Sequence, residues 1–140
     1  RQPKLEPTIA PTPTAELPDA LFPYTRAVQL LRAAQYEDAI PQFGMVIRIL
    51  PDFAKAYHGR ALAYYHDEQL ELAIEDFNKA IELKPDFADA YRNRGVTHLN
   101  SGNIIRGTLD LQKALSIYEE LGDSSGVRDL NRLLGNSNQR

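Results

Sequence analysis

The phrase LPDFAKAYHGRA at 50–61 returns 34 residues later as KPDFADAYRNRG at 84–95, with seven of twelve positions identical. Self-similarity at one fixed offset of this size is the signature of tandem units that bury their apolar faces only by stacking on one another. A chain of 140 residues therefore holds a few copies of one supersecondary unit. By size it is one domain, with room for a single modest core.

The periodicity within a unit is helical. Apolar residues fall at Ala27, Leu30, Leu31 and Ala34, and again, after a break near Gln35-Tyr36, at Ala39, Ile40, Phe43, Val46, Ile47 and Leu50. Steps of three and four residues mark amphipathic helices. The second unit breaks at 67–69 and stops at Pro85, which cannot continue a helix. The third breaks at Ser101-Gly102-Asn103 and ends at Leu121, with Gly122 as a C-cap. Beyond the GDSSG turn, Val127, Leu130, Leu133 and Leu134 form one stripe, while Arg128, Asp129, Asn131 and Arg132 face away, as in a helix that closes a stack. The reading is all-α: three helix-turn-helix units at 20–53, 54–87 and 88–121, a capping helix at 122–135 and a tail at 136–140. Residues 1–19 hold five of the nine prolines and read as a linker or tail, or as a ligand-like strand that docks on its own domain or a neighbour.

Aligned at 34-residue steps, the units repeat small residues (Ala27, Ala61, Gly95; Ala39, Ala73, Gly107) where helices approach closely, and large ones (Phe43, Phe77, Leu111) where a neighbour leaves a hole. In the middle unit, Tyr57, Ala61, Tyr64, Ala73, Phe77, Ala80 and Pro85 match the spacing of the tetratricopeptide repeat (TPR), and the chain resembles that family over about 100 residues. The third unit supplies Tyr91, Gly95, His98, Gly107, Leu111 and Ala114 but has Glu119 where proline is expected. The first has Pro23 in the first aromatic place and Val46 for the last alanine. The resemblance implies a right-handed superhelical solenoid of TPR units. Pro23 would suit the first turn of its helix, and Pro41 would delay or kink the next one.

Arg26, Arg60 and Arg94 recur where the family more often has leucine, and sixteen residues on stand Gln42, Asp76 and Asp110. The expectation is a bidentate Arg60–Asp76 and Arg94–Asp110 pair across each hairpin, with a weaker Arg26–Gln42 bond. The alternative is three solvated surface charges.

Chemistry is excluded residue by residue. There is no cysteine, no glycine-rich phosphate loop and no serine in an elbow motif. His58 and His66 lie eight apart, about 80° around a helix, the wrong geometry for a chelate. His98 occupies a packing place filled by Leu30 and Tyr64 in the other units. No enzyme activity, metal or cofactor is expected. A net charge of -3 argues against nucleic acid, and no stretch has the apolar length of a membrane span.

What remains is binding. In the family the first helices of successive units line a concave groove, and carrying that over gives rows Tyr24, His58, Arg92; Val28, Leu62, Val96; and Leu31, Tyr65, Leu99, with Arg32, His66 and Asn100 at the rim. The groove is apolar apart from Arg92, which implies a protein or peptide partner, an amphipathic helix or a hydrophobic proline-containing segment. The chain's own N-terminal tail and a second copy are further occupants; a second copy, at the groove or at an end of the stack, would make the domain a self-association module. Members that grip the C-terminal carboxylate of heat-shock chaperones use Lys, Asn and Arg where this chain has Tyr24, Val28, Gly59, Asp89 and Asn93, so that ligand is not expected. The repeats resemble bacterial ones. Because the chain starts at Arg1, and its Pro/Thr-rich opening resembles a spacer behind a membrane anchor, a tethered soluble domain is the expectation for location, and a cytoplasmic one without such an anchor.

Overall fold

The computed structural model describes residues 17–137. Among them are seven α-helices and no strand: α1 (Leu17–Arg32), α2 (Tyr36–Ile49), α3 (Ala54–His66), α4 (Leu70–Leu83), α5 (Ala88–Asn100), α6 (Ile104–Glu120) and α7 (Ser124–Ser137). Each helix packs on the next, and α3 also touches α1 and α5, so the pairs α1/α2, α3/α4 and α5/α6 stack as a right-handed superhelical solenoid closed by α7. Of residues 1–19, read as a linker or a groove occupant, 1–16 lie outside the described residues, and Leu17, Pro18 and Asp19 open α1 instead.

The same turn joins the two helices of every hairpin. Gln35 N–H bonds Leu30 O and Ala34 N–H bonds Leu31 O; Gln69 and Glu68 repeat this on Tyr64 and Tyr65, and Asn103 and Gly102 on His98 and Leu99. This pattern is a Schellman motif, which needs a left-handed residue just past the helix end. Glycine supplies it at Gly102 (φ 84°), but Ala34 (φ 58°) and Glu68 (φ 61°) adopt it with a Cβ in place. The same motif at Gly122 ends α6, and Asp123 then caps α7 by accepting the Gly126 N–H at 2.9 Å.

The small residues do what their recurrence implied. A Cβ on Gly107 would lie 2.9 Å from the Gly95 carbonyl oxygen, so α5 and α6 meet at backbone contact there. The equivalent Ala27, Ala39, Ala61 and Ala73 are fully buried. The single core expected from size is instead three clusters, centred on Phe43, Phe77 and Leu111, because each unit shares its apolar surface only with its neighbours. Leu130 of α7 completes the third cluster, with Val127, Leu133 and Leu134 packed against it and Arg128, Asp129, Asn131 and Arg132 exposed.

Both expected ion pairs form as two-pronged contacts. Arg60 donates from Nε and Nη2 to Asp76 at 2.6 and 2.8 Å, and Arg94 to Asp110 at 2.7 and 2.6 Å. Both aspartates are buried. The third member fails: Arg26 is exposed, and no Arg26–Gln42 bond is made. An amide cannot reward the desolvation of a guanidinium as a carboxylate does.

The two prolines also depart from expectation. α1 begins at Leu17, so buried Pro23 is its seventh residue and not in its first turn; the added turns bury Ala20 against the first cluster. Pro41 does not delay α2, which starts at Tyr36 in register with Leu70 and Ile104. Its ring is exposed, on the side of the helix where Glu37 also meets solvent.

Candidate functional site

The nine residues expected to line a groove do not share one environment. Tyr24, Val28 and Leu31 of α1 and His58 and Leu62 of α3 line one cavity of about 240 Å³, floored by Phe43 and bounded by Lys55, Gly59, Phe87 and Asp89. The other four predicted residues lie outside it. Val96 and Leu99 pack against the third cluster, and Tyr65 accepts a hydrogen bond from the Asn100 amide at 2.6 Å. Arg92 keeps its Nε buried without a hydrogen-bond partner.

A residue-by-residue cause separates the two halves. Between α3 and α5, side chains 35 residues apart are joined: Asn93 to His58 at 2.9 Å and Asn100 to Tyr65. Arg94 adds a bond from Nη1 to Asn78 of α4 at 2.8 Å. At the junction between the first and second units the same three pairings would be Tyr24 with Gly59, Leu31 with His66, and Arg60 with Gly44. None of these can form the bond: two lack a side chain, and leucine has no polar atom. His66 stacks instead on Tyr36, centroids 4.8 Å apart. Where the second junction has the Asn93 side chain, the first has Gly59, and the Phe43 ring comes up against its backbone: a Cβ there would lie 2.4 Å from that ring.

His58 belongs to both halves. Its ring lies 4.8 Å from Phe87 and 5.8 Å from Phe77 between centroids. Burial pushes its pKa down to about 4, against a smaller opposing pull from the Asp89 carboxylate. The neutral ring accepts the Asn93 amide N–H at Nε2. Asp89, on the cavity rim, accepts the Tyr118 hydroxyl, and burial followed by that bond raises the Tyr118 pKa. Tyr24 is raised by burial. The site is thus an apolar slot with one cation, Lys55, and one anion, Asp89, on its walls.

Phe43, Phe87 and Lys55 were missing from the expected groove rows. Phe87 was visible in the repeated PDF phrase, whose phenylalanine precedes α3 and α5; Phe43, on a second helix, reaches the groove only through the gap at Gly59. Among the described residues no group of three or more His, Cys, Asp or Glu could hold a metal, and no helix is long and apolar enough to cross a membrane.

Comparison with known proteins agrees with this geometry. Residues 67–102 match a family model described as TPR repeat. No curated protein sequence matches the chain. Among solved structures, the TPR2AB domain of yeast Sti1, in complex with pHSP90, superposes with a TM-score of 0.81 at 22% identity, covering 86% of this chain and 46% of that one. The TPR2B domain of yeast Sti1, in complex with pHsp70, gives 0.80 at 24%, over 86% and 98%. MamA (41-end) from Desulfovibrio magneticus RS-1 gives 0.69 at 28%, over 71% and 56%. This chain spans about half the length of the first and last of these. Three stacked hairpins with their recurring small and aromatic positions, a TPR-repeat model matching residues 67–102 and these superpositions give the chain the tetratricopeptide repeat fold.

Proposed function

We propose that the chain is a protein-interaction scaffold, and that it takes an apolar side chain of a partner peptide or amphipathic helix into the cavity between α1 and α3. The observation that carries this reading is the cavity itself, open at the one junction where the polar ties are missing. Two or three apolar anchors, each worth about 1.5–3 kcal/mol on burial, offset the several kcal/mol lost on association and leave roughly micromolar affinity. The partner class is not that of the similar Sti1 domains, because the places that would grip a carboxylate hold Tyr24, Val28, Gly59, Asp89 and Asn93. The fold is one that typically binds proteins and carries no chemistry of its own, in keeping with a non-enzymatic role.

Selection of peptides from a random display library tests the reading. Selected sequences should share aliphatic or aromatic anchors, and Leu62→Asp should weaken them at least about tenfold while Val96→Asp, outside the cavity, does so less. Equal binding to both variants and the parent, each confirmed folded by its thermal transition, would contradict it.

A second reading is self-association. It is favoured by Leu17, Leu21 and Phe22 on α1 and by Ile104, Ile105 and Leu109 on α6, all more than half exposed. Light scattering across a concentration series separates it from foreign-peptide binding: a mass that stays monomeric removes it.

A further inference from the structure

Away from the groove, a second cavity of about 290 Å³ lies where α4, α5 and α6 meet. Its polar walls are Asn78, Arg94, His98, Arg106 and Asp110. Position by position, the equivalent place where α2, α3 and α4 meet has Gly44, Arg60, Tyr64, Leu72 and Asp76, with Glu75 in place of Leu109. The second hairpin therefore sets one cation against two anions, and the third sets two cations against one anion. Tyr64 also lies over the Arg60 guanidinium, 5.9 Å from it, where the third hairpin has the smaller His98.

The donors are specific. Asp110 occupies Nε and Nη2 of Arg94, and the Asn78 carbonyl oxygen occupies Nη1. That bond fixes which end of the Asn78 amide is spent, so its NH₂ group is a donor with no partner among the described residues. Arg106 is exposed and its guanidinium is unpaired among them, so its charge is not cancelled. Ile74 and Leu109 supply an apolar wall.

We propose that this cleft binds a small oxyanion, a carboxylate or phosphoryl group on a short apolar stem, held by the Arg106 guanidinium and the Asn78 amide. Arg supplies planar paired donors matched to either group. The volume sits at the low end of the roughly 300–1,000 Å³ of ligand pockets, which limits the ligand to a small molecule or one residue of a larger one. His98 reports occupancy. Its pKa is lowered chiefly by burial, with Asp110 of α6 pulling upward and Arg94 of α5 and Arg106 of α6 pushing down, while α4 offers only Asn78 and Ile74. An anion against the two arginines weakens their push and raises it.

The test is an NMR titration of the whole 140-residue chain with inorganic phosphate and, separately, butyrate, each at matched ionic strength against chloride. The Asn78 side-chain amide and His98 ring signals should shift saturably in the millimolar range, and the His98 midpoint should move to higher pH. Saturation by phosphate alone assigns a phosphoryl ligand, by butyrate alone a carboxylate. Arg106→Gln, at an exposed unpaired site, should weaken the response about tenfold, Arg106→Lys should restore part of it, and the groove residue His58 should be silent throughout. Linear shifts equal to those from chloride, or a saturable response unchanged in Arg106→Gln, would overturn the proposal.

Discussion

The two junctions between units are built on the same frame and differ in how they are tied. Between the second and third units, His58···Asn93, Tyr65···Asn100 and Arg94···Asn78 cross the interface with hydrogen bonds of 2.6–2.9 Å. Between the first and second, the equivalent places hold Gly59, Leu31 and Gly44, and the interface is aromatic and aliphatic with a cavity inside it. A repeat frame thus sets where helices lie, while the few residues that differ between copies decide which part of the shared groove is open.

The largest test of this contrast lies in the hairpin that feeds the tied junction. Arg94→Met leaves the buried Asp110 carboxylate without its partner and should destabilise by about 3–5 kcal/mol in denaturant unfolding. Arg26→Met, at the exposed equivalent in the first unit, should change stability by less than about 0.5 kcal/mol. Equal effects would break the distinction.

His58 connects the junctions through its protonation. The native ring resists a proton down to about pH 4, whereas the unfolded ring accepts one near its ordinary value of 6.5. The unfolded state therefore binds more protons in that window. The stability from His58 is full above about pH 6.5 and is lost as pH falls toward 4, by at most about 3 kcal/mol. Denaturation midpoints across that range should flatten in His58→Gln, and an unchanged slope would remove His58 as the cause.

Gly59→Asn installs in the first junction the side chain that ties the second. Its Cβ would sit 2.4 Å from the Phe43 ring, so overpacking should cost about 1–3 kcal/mol and peptide binding should fall with the loss of the cavity. A variant that keeps both would show that the slot is not where partners enter. The smallest effect is at the turns shared by all units: Ala34→Gly and Glu68→Gly relieve a left-handed residue and should each stabilise by up to about 1 kcal/mol, while Gly102→Ala should do the reverse.

Much of this was legible in the chain. The 34-residue offset fixed the hairpins, the 16-residue offset between Arg60 and Asp76 and between Arg94 and Asp110 placed both partners on facing helices, and the Val127–Leu134 stripe marked the capping helix. Pro23 misled because its reading assumed that α1 starts where the repeat does, whereas buried Ala20 carries the helix further upstream. The left-handed turns were hidden, since alanine and glutamate give no local signal and only Gly102 in the same register hints at them. The division of the groove depends on pairs 35 residues apart, one more than the repeat. An alignment at 34 places Gly59 beside Asn93 as a difference, but it does not show that Tyr24 and His58 are the partners each would reach.

The most direct measurement is a methyl NMR titration of the chain with a selected apolar peptide. The methyl groups of Val28, Leu31 and Leu62 should shift together and saturate, while those of Val96 and Leu99 stay in place. Shifts centred on Val96 and Leu99, with Val28 and Leu62 unmoved, would contradict binding in the cavity between α1 and α3.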